Sequence, residues 1–389
     1  MELSYILNEL GEARSEYFNA VSPPIMQTSN FAFDTVAAFR EALSDEYSTY
    51  LYSRGRNPTL DILCRKLAAL DEAEDCLVFN SGAGAIFASV LANVRSGDHI
   101  VSVAKPYAWA QHLFEKILPR FEVTVTYVDG RDTGNFEKAL QPNTRIIYLE
   151  SPNSWSFHLQ DLGAVAALAK SRGILTICDN SYCTPLYQKP IPLGIDMALQ
   201  SATKYISGHS DVVAGVLSGS SAMIHRIFES EYLNIGAGTS PMNAWLLIRG
   251  LRTLPLRLER ISASTPKIVE YLKSHERVEK VVFPFDKEFG QLALAKKQMQ
   301  GACGLLSFSL KADRLDQIER FCESLRHILM AVSWGGHESL VIPGCVSIQT
   351  EEFDPSNSDH RTLRMYVGLE EPEYLIRDLE RALSLMDGD

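Results

Sequence analysis

Short apolar runs recur through the middle of the chain, spaced so that most pairs leave room for one helix between them. They fall at Cys76–Phe79, Ile100–Val103, Val123–Val128, Ile146–Leu149, Leu175–Cys178, Met197–Leu199 and Val213–Leu217, with helical stretches such as Leu162–Lys170 between them. That alternation predicts an α/β fold in which a mainly parallel sheet is covered by helices on both faces. Ligands then belong at the loops beyond the strand ends. Upstream, Leu60, Leu63, Leu67 and Leu70 are spaced for one face of a helix, which Thr59 is expected to cap. Downstream, Ala244–Arg260 reads as a long helix leading into a smaller α+β layer. Its strands are expected near Val278–Phe283, Gly304–Leu310 and Leu363–Val367, and its helices at Asp316–Leu329 and Pro372–Met386. Residues 1–55 hold only short helical pieces and the proline-marked segment Pro23–Thr28, with no core of their own. The expected organisation is therefore an N-terminal arm over 1–55, an α/β domain over 56–255 and an α+β domain over 256–389.

Composition narrows the field without choosing a function. A chain of 389 residues is too long for one ordinary core, which agrees with two domains. A net charge of −11 with no basic block disfavours nucleic acid as a partner. No run of about 18 apolar residues exists, so no transmembrane helix is expected. The segment Met1–Leu10 is acidic and lacks a signal peptide's charge pattern. Seven scattered cysteines with no Cys-x-x-Cys pair read as buried thiols in a reducing compartment, so a cytoplasmic location is expected.

Candidate chemistry centres on Ser201–Asp211. Lys204 follows the apolar run Met197–Leu199, with the hydroxyls of Ser201 and Thr203 within three residues. A lysine at a strand end beside hydroxyls suits an aldehyde cofactor that also carries a phosphate: the amine can form a Schiff base, and the hydroxyls can bond phosphate oxygens. Asp179 ends another short buried run, where a carboxylate can keep a pyridinium nitrogen protonated. Taken singly, the lysine reads as a solvated loop residue and the aspartate as a cap. A third stretch, Asn80–Ile86, follows a strand and opens a helix, and its small residues let backbone N–H groups approach an anion. It lacks the third glycine of a dinucleotide fingerprint and the lysine of a P-loop.

Asp179-Asn180, Ser201-Ala202-Thr203-Lys204-Tyr205 and Gly208-His209-Ser210-Asp211 together resemble the transsulfuration (Cys/Met metabolism) family of pyridoxal 5'-phosphate (PLP) enzymes. The likeness runs from about Pro23 to the C-terminus. It implies the aspartate aminotransferase-like fold (fold type I), PLP as cofactor and an N-terminal arm that packs on a neighbouring subunit. It further implies a homotetramer built as a dimer of dimers. Carried over residue by residue, the resemblance makes Lys204 the cofactor lysine and Asp179 the partner of the ring nitrogen. Gly82 and Ala83, with Ser201 and Thr203, hold the phosphate, which Tyr52 and Arg54 reach from the adjacent subunit. Tyr107 stacks on the ring and helps handle the proton of the incoming amino acid, for which its phenol would need a lowered pKa. Asn153 lies near the cofactor's phenolic oxygen, Arg364 clamps the substrate α-carboxylate, and Ser333 supports that carboxylate or the lysine. On the residues alone, Arg54 also reads as a surface arginine, Asn153 as a turn residue and Arg364 as half of a buried ion pair.

These residues are shared across the family, so the choice of reaction rests on three local features. Val332 stands where members that handle a distal amino group tend to carry glutamate, and valine cannot pair with an ammonium. Trp334 resembles β-lyases, which likewise lack the glycine pair after the stacking tyrosine; here Ala108-Trp109-Ala110 takes its place. The Thr-His common after Glu338-Ser339-Leu340 is missing. The expected activity is that of a PLP-dependent carbon–sulfur lyase acting on a small sulfur amino acid. α,β-Elimination of cystathionine or a related cysteine conjugate is placed ahead of methionine or cystathionine γ-elimination. The alternative of another class is a PLP-dependent transferase, such as cystathionine γ-synthase or an O-acylhomoserine sulfhydrylase.

Overall fold

A computed structural model describes residues 1–388; Asp389, the last residue of the expected C-terminal domain, lies outside them. Seven strands form the larger sheet: β1 (Asp75–Phe79), β2 (His99–Val103), β3 (Thr124–Val128), β4 (Thr144–Glu150), β5 (Leu175–Asp179), β6 (Met197–Gln200) and β7 (Gly215–Gly219). Their order across the sheet is β1-β7-β6-β5-β4-β2-β3. Strands β2 to β6 are parallel, whereas β7 runs antiparallel to both β1 and β6. Alternate residues of β4 face opposite cores, as a pleated strand covered on both sides requires. Ile146 and Tyr148 pack with Phe79 and Phe114, while Ile147 and Leu149 pack with Leu162 and Val165.

The second sheet has five strands: β8 (Val278–Val282), β9 (Leu305–Leu310), β10 (Leu329–Met330), β11 (Leu340–Pro343) and β12 (Thr362–Tyr366), in the order β10-β11-β12-β9-β8. Its core includes Leu306, Phe308 and Leu363, with Leu375 and Leu379 from the C-terminal helix Pro372–Ser384. This is the smaller α+β layer expected from the sequence. Among the described residues no helix is long and apolar enough to cross a membrane.

Three local expectations are corrected. The helix Pro58–Asp71 is capped by Asn57, whose side chain accepts from the Thr59 N–H; Pro58 fills the first turn, where its missing donor is harmless. The long helix runs from Pro241 to Ser274, well beyond Arg260, with Pro255 and Pro266 inside it. Its apolar side, including Leu247, Leu251, Leu258, Ile261 and Ile268, is buried along its length, and that burial outweighs the hydrogen bonds lost at the prolines. The helix expected over Asp316–Leu329 ends at Ser324, leaving Leu329 to enter β10.

Candidate active site

The parallel strands β4, β5 and β6 end side by side, and the turns beyond their ends build the site. Asp179 closes β5 and is the register neighbour of Glu150 on β4 and Leu199 on β6. It is buried and accepts a hydrogen bond of 2.9 Å from the Ser181 N–H. Burial pushes its carboxyl upward, against the pull of that bond and of the nearby Lys204. Glu150, also buried, is raised to about 7 by burial and by the charge of Asp179. It accepts from the Tyr107 N–H at 2.5 Å and from the Ser154 hydroxyl, and so ties Tyr107 to the turn after β4.

Lys204 lies in the turn beyond β6. Its Nζ donates to Ser333 Oγ at 2.5 Å and sits 5.4 Å from the centre of the Trp334 ring. Burial, and next the Arg364 guanidinium, lower the amine to about 8, while Asp179 opposes them. The backbone is held with equal care. Arg257, buried in the long helix, donates to the Tyr205 carbonyl at 2.7 Å. Gly335, at φ +91, lies so close to Lys204 that a Cβ there would stand 2.8 Å from the lysine Cα. Ser333 itself has φ 80, an uncommon backbone for a residue with a side chain.

Gly82 and Ala83, expected to hold the phosphate, open the helix Gly82–Leu91, which Ser81 caps through Gly84. A Cβ on Gly82 would meet Ser201 Cβ at 3.1 Å and Oγ at 3.2 Å, so the glycine keeps a small cup open beside that hydroxyl. Thr203 is less free: its hydroxyl donates to the Ala214 carbonyl and accepts from the Ala214 N–H. Asn153 is buried with its Nδ2 unpartnered, a donor in need of an acceptor.

Arg364 projects from β12, opposite Ser307 of β9. Its guanidinium makes one long bond, 3.4 Å to the Ser154 carbonyl, and lies 5.1 Å over the Trp155 ring. Burial lowers it to about 10. It has no ion-pair partner among the described residues, so the ion-pair reading of this arginine does not hold. The Tyr107 phenol is raised by burial and by Asp179, the reverse of the lowering its proton-handling role would need. Val332 is 80% exposed. Tyr52 and Arg54 are exposed as well, with the guanidinium 5.5 Å over its own neighbour's ring. Neither is brought to Lys204 by a contact within the chain.

Sequence reasoning gives Glu150 no role and passes over Trp155. A signal for Glu150 exists in the chain: a carboxylate ending the strand next to that of Asp179.

A depressed amine, a carboxylate at the neighbouring strand end, a small-residue helix start and an unpartnered arginine define an enzyme whose cofactor carries both an aldehyde and a phosphate. The residues fit PLP, on the unpartnered Asn153 donor and the cup kept open by Gly82. The chain belongs to the Cys/Met metabolism PLP-dependent enzyme family, which matches residues 6–384, and PLP is its cofactor. It is 37% identical to an L-methionine gamma-lyase of Treponema denticola over 96% of this chain and 94% of that protein. It is 38% identical to an L-methionine gamma-lyase of Pseudomonas deceptionensis over 94% of this chain and 93% of that protein. A cystathionine gamma-lyase of Bacillus subtilis is 34% identical over 96% of this chain and 97% of its own length.

Proposed function

We propose that this protein is a carbon–sulfur lyase that cleaves a sulfur-containing amino acid to a keto acid, ammonia and a thiol. The observation that carries the reading is the meeting of Lys204, an amine lowered to about 8, with Arg364, a half-buried cation that makes no ion pair. PLP, when bound, supplies the electron sink that makes the substrate Cα–H acidic. The chain supplies the rest. Arg364 offers in-plane donors to the α-carboxylate. Lys204, substantially neutral near pH 8, takes the proton from Cα, and Ser333 Oγ holds the amine where it can do so. With PLP bound, Asp179 would face the ring nitrogen, and Asn153 Nδ2 would be the donor for the phenolic oxygen.

α,β-Elimination needs one proton transfer before the sulfur departs from Cβ, and it is supported by the resemblance of Trp334 to β-lyases. The γ-lyase reading needs Lys204 to move a second proton, from Cβ. It is favoured by the relatives named L-methionine gamma-lyase and by Val332, which offers no charge to a distal ammonium. The assembly belongs to the same proposal: exposed Tyr52 and Arg54 serve a neighbouring subunit's phosphate, in a tetramer made of two such dimers. A cytoplasmic location is supported by seven cysteines that are all buried and unpaired.

The keto acid decides the reaction. Pyruvate from cystathionine, with no 2-oxobutanoate from cystathionine or methionine, establishes the β-lyase; 2-oxobutanoate from methionine establishes the γ-lyase. If neither keto acid forms while Lys204→Ala loses the yellow colour, cofactor attachment stands and the lyase reading fails.

A further inference from the structure

Arg364 is half-buried and carries five N–H donors, yet the chain gives it one long bond and no ion pair, with the Glu150 charge acting on it only from a distance. What it does have is a ring face. Trp155, 38% exposed, lies with its ring centre 5.1 Å from the guanidinium carbon. The placement is not incidental to a loose loop. The Trp155 carbonyl accepts a 3.0 Å bond from Ser307 Oγ, and Ser307 is the register partner of Arg364 across β9 and β12. One strand pair therefore sets both the guanidinium and the indole above it. Next to Trp155, the Ser154 hydroxyl bonds Glu150, which fixes the turn to the strand end that also holds Tyr107.

The chemistry of the contact matters. A carboxylate partner would hold Arg364 by occupying its N–H edge and neutralising its charge, and an incoming substrate would have to displace it. An aromatic face attracts the cation through the ring quadrupole and leaves the in-plane donors free. We propose that Trp155 is a positioning residue that fixes the plane of the Arg364 guanidinium so that its donor edge meets the substrate α-carboxylate. The proposal rests on Arg364 reading that carboxylate, as proposed above.

The test compares two ligands that carry no leaving group, L-norleucine and its decarboxylated counterpart pentylamine, by calorimetric titration of the holoenzyme. The wild-type protein prefers norleucine. In Trp155→Leu that preference falls about five- to tenfold, through weaker norleucine binding with pentylamine affinity unchanged, and Trp155→Phe keeps most of it. Arg364→Leu removes the preference. An unchanged preference in Trp155→Leu with a lost one in Arg364→Leu overturns the role of Trp155 and leaves the carboxylate reading intact. Equal weakening of both ligands in Trp155→Leu also overturns it, since that is what general disorder of the turn produces. An unchanged preference in both variants removes the carboxylate reading and the proposal with it. Should Trp155→Leu fail to fold, Trp155→Met is read in the same way.

Discussion

Lys204 pays for its reactivity in stability, and the sign of that cost can be measured. Its amine is lowered from the ordinary 10.5 to about 8, chiefly by burial, so the cofactor-free protein takes up a proton on unfolding between those values. The penalty is fully present below about pH 8 and disappears as pH rises toward 10.5. It amounts to something on the order of 3 kcal/mol. Cofactor-free Lys204→Met should therefore melt higher than the parent at pH 7, with the gap closing toward pH 10.5; a constant gap across that range would show that the amine is not depressed. At this scale the sequence is most informative where several groups are read together: Lys204, Asp179 and Arg364 each have a bland use alone, and their combination at the end or middle of apolar runs does not. Glu150 and Trp155 are harder, because their roles depend on a register neighbour and on a contact between the two sheets. The left-handed backbone of Ser333 carries no signal at all, since serine does not announce a positive φ as glycine does.

Among the elements, the helix Gly82–Leu91 shows two pressures acting on one residue. Alanine favours a helix over glycine by about 1 kcal/mol in the interior and by less at the first position. A Cβ at Gly82 would nevertheless press on Ser201 at 3.1–3.3 Å, in the cup assigned to the phosphate. Gly82→Ala should thus leave the melting point of the cofactor-free protein within a few degrees of the parent while weakening PLP affinity about tenfold. Fluorescence titration of the apoprotein with PLP reads this directly, and unchanged affinity would move the phosphate away from this turn. Apolar spacing reveals the existence of most elements but not their directions. β7 has the same kind of run as its neighbours, yet it returns antiparallel, because direction is set by the short path from β6 through the Lys204 turn. Gly215 at its start makes that path feasible: a Cβ there would stand 2.2 Å from the Ser81 carbonyl oxygen. Sequence pattern ends the long helix at Arg260, whereas the burial that carries it past Pro266 to Ser274 is spread over residues far apart in the chain.

For the whole molecule, the chain by itself leaves its proposed phosphate ligands and much apolar surface uncovered. Phe18, Val21, Val36 and Leu43 in the N-terminal segment are largely exposed, as are Tyr52 and Arg54, which make no contact with the site of their own chain. In the proposed two-fold dimer the contribution would be reciprocal, each subunit's Arg54 completing the other's site. The arrangement makes a quantitative prediction from two inactive proteins. Arg54→Ala and Lys204→Ala are each expected to lose most activity alone. After unfolding and refolding as an equal mixture, half of the dimers should be hybrids, and each hybrid should hold one complete site, built from Lys204 of one subunit and Arg54 of the other. Activity should then recover to about a quarter of the parent's, by the symmetry of the pairing. Recovery near zero, with hybrid formation verified by mass spectrometry, would mean that Arg54 serves its own chain, and the site would have to be completed from within a single subunit.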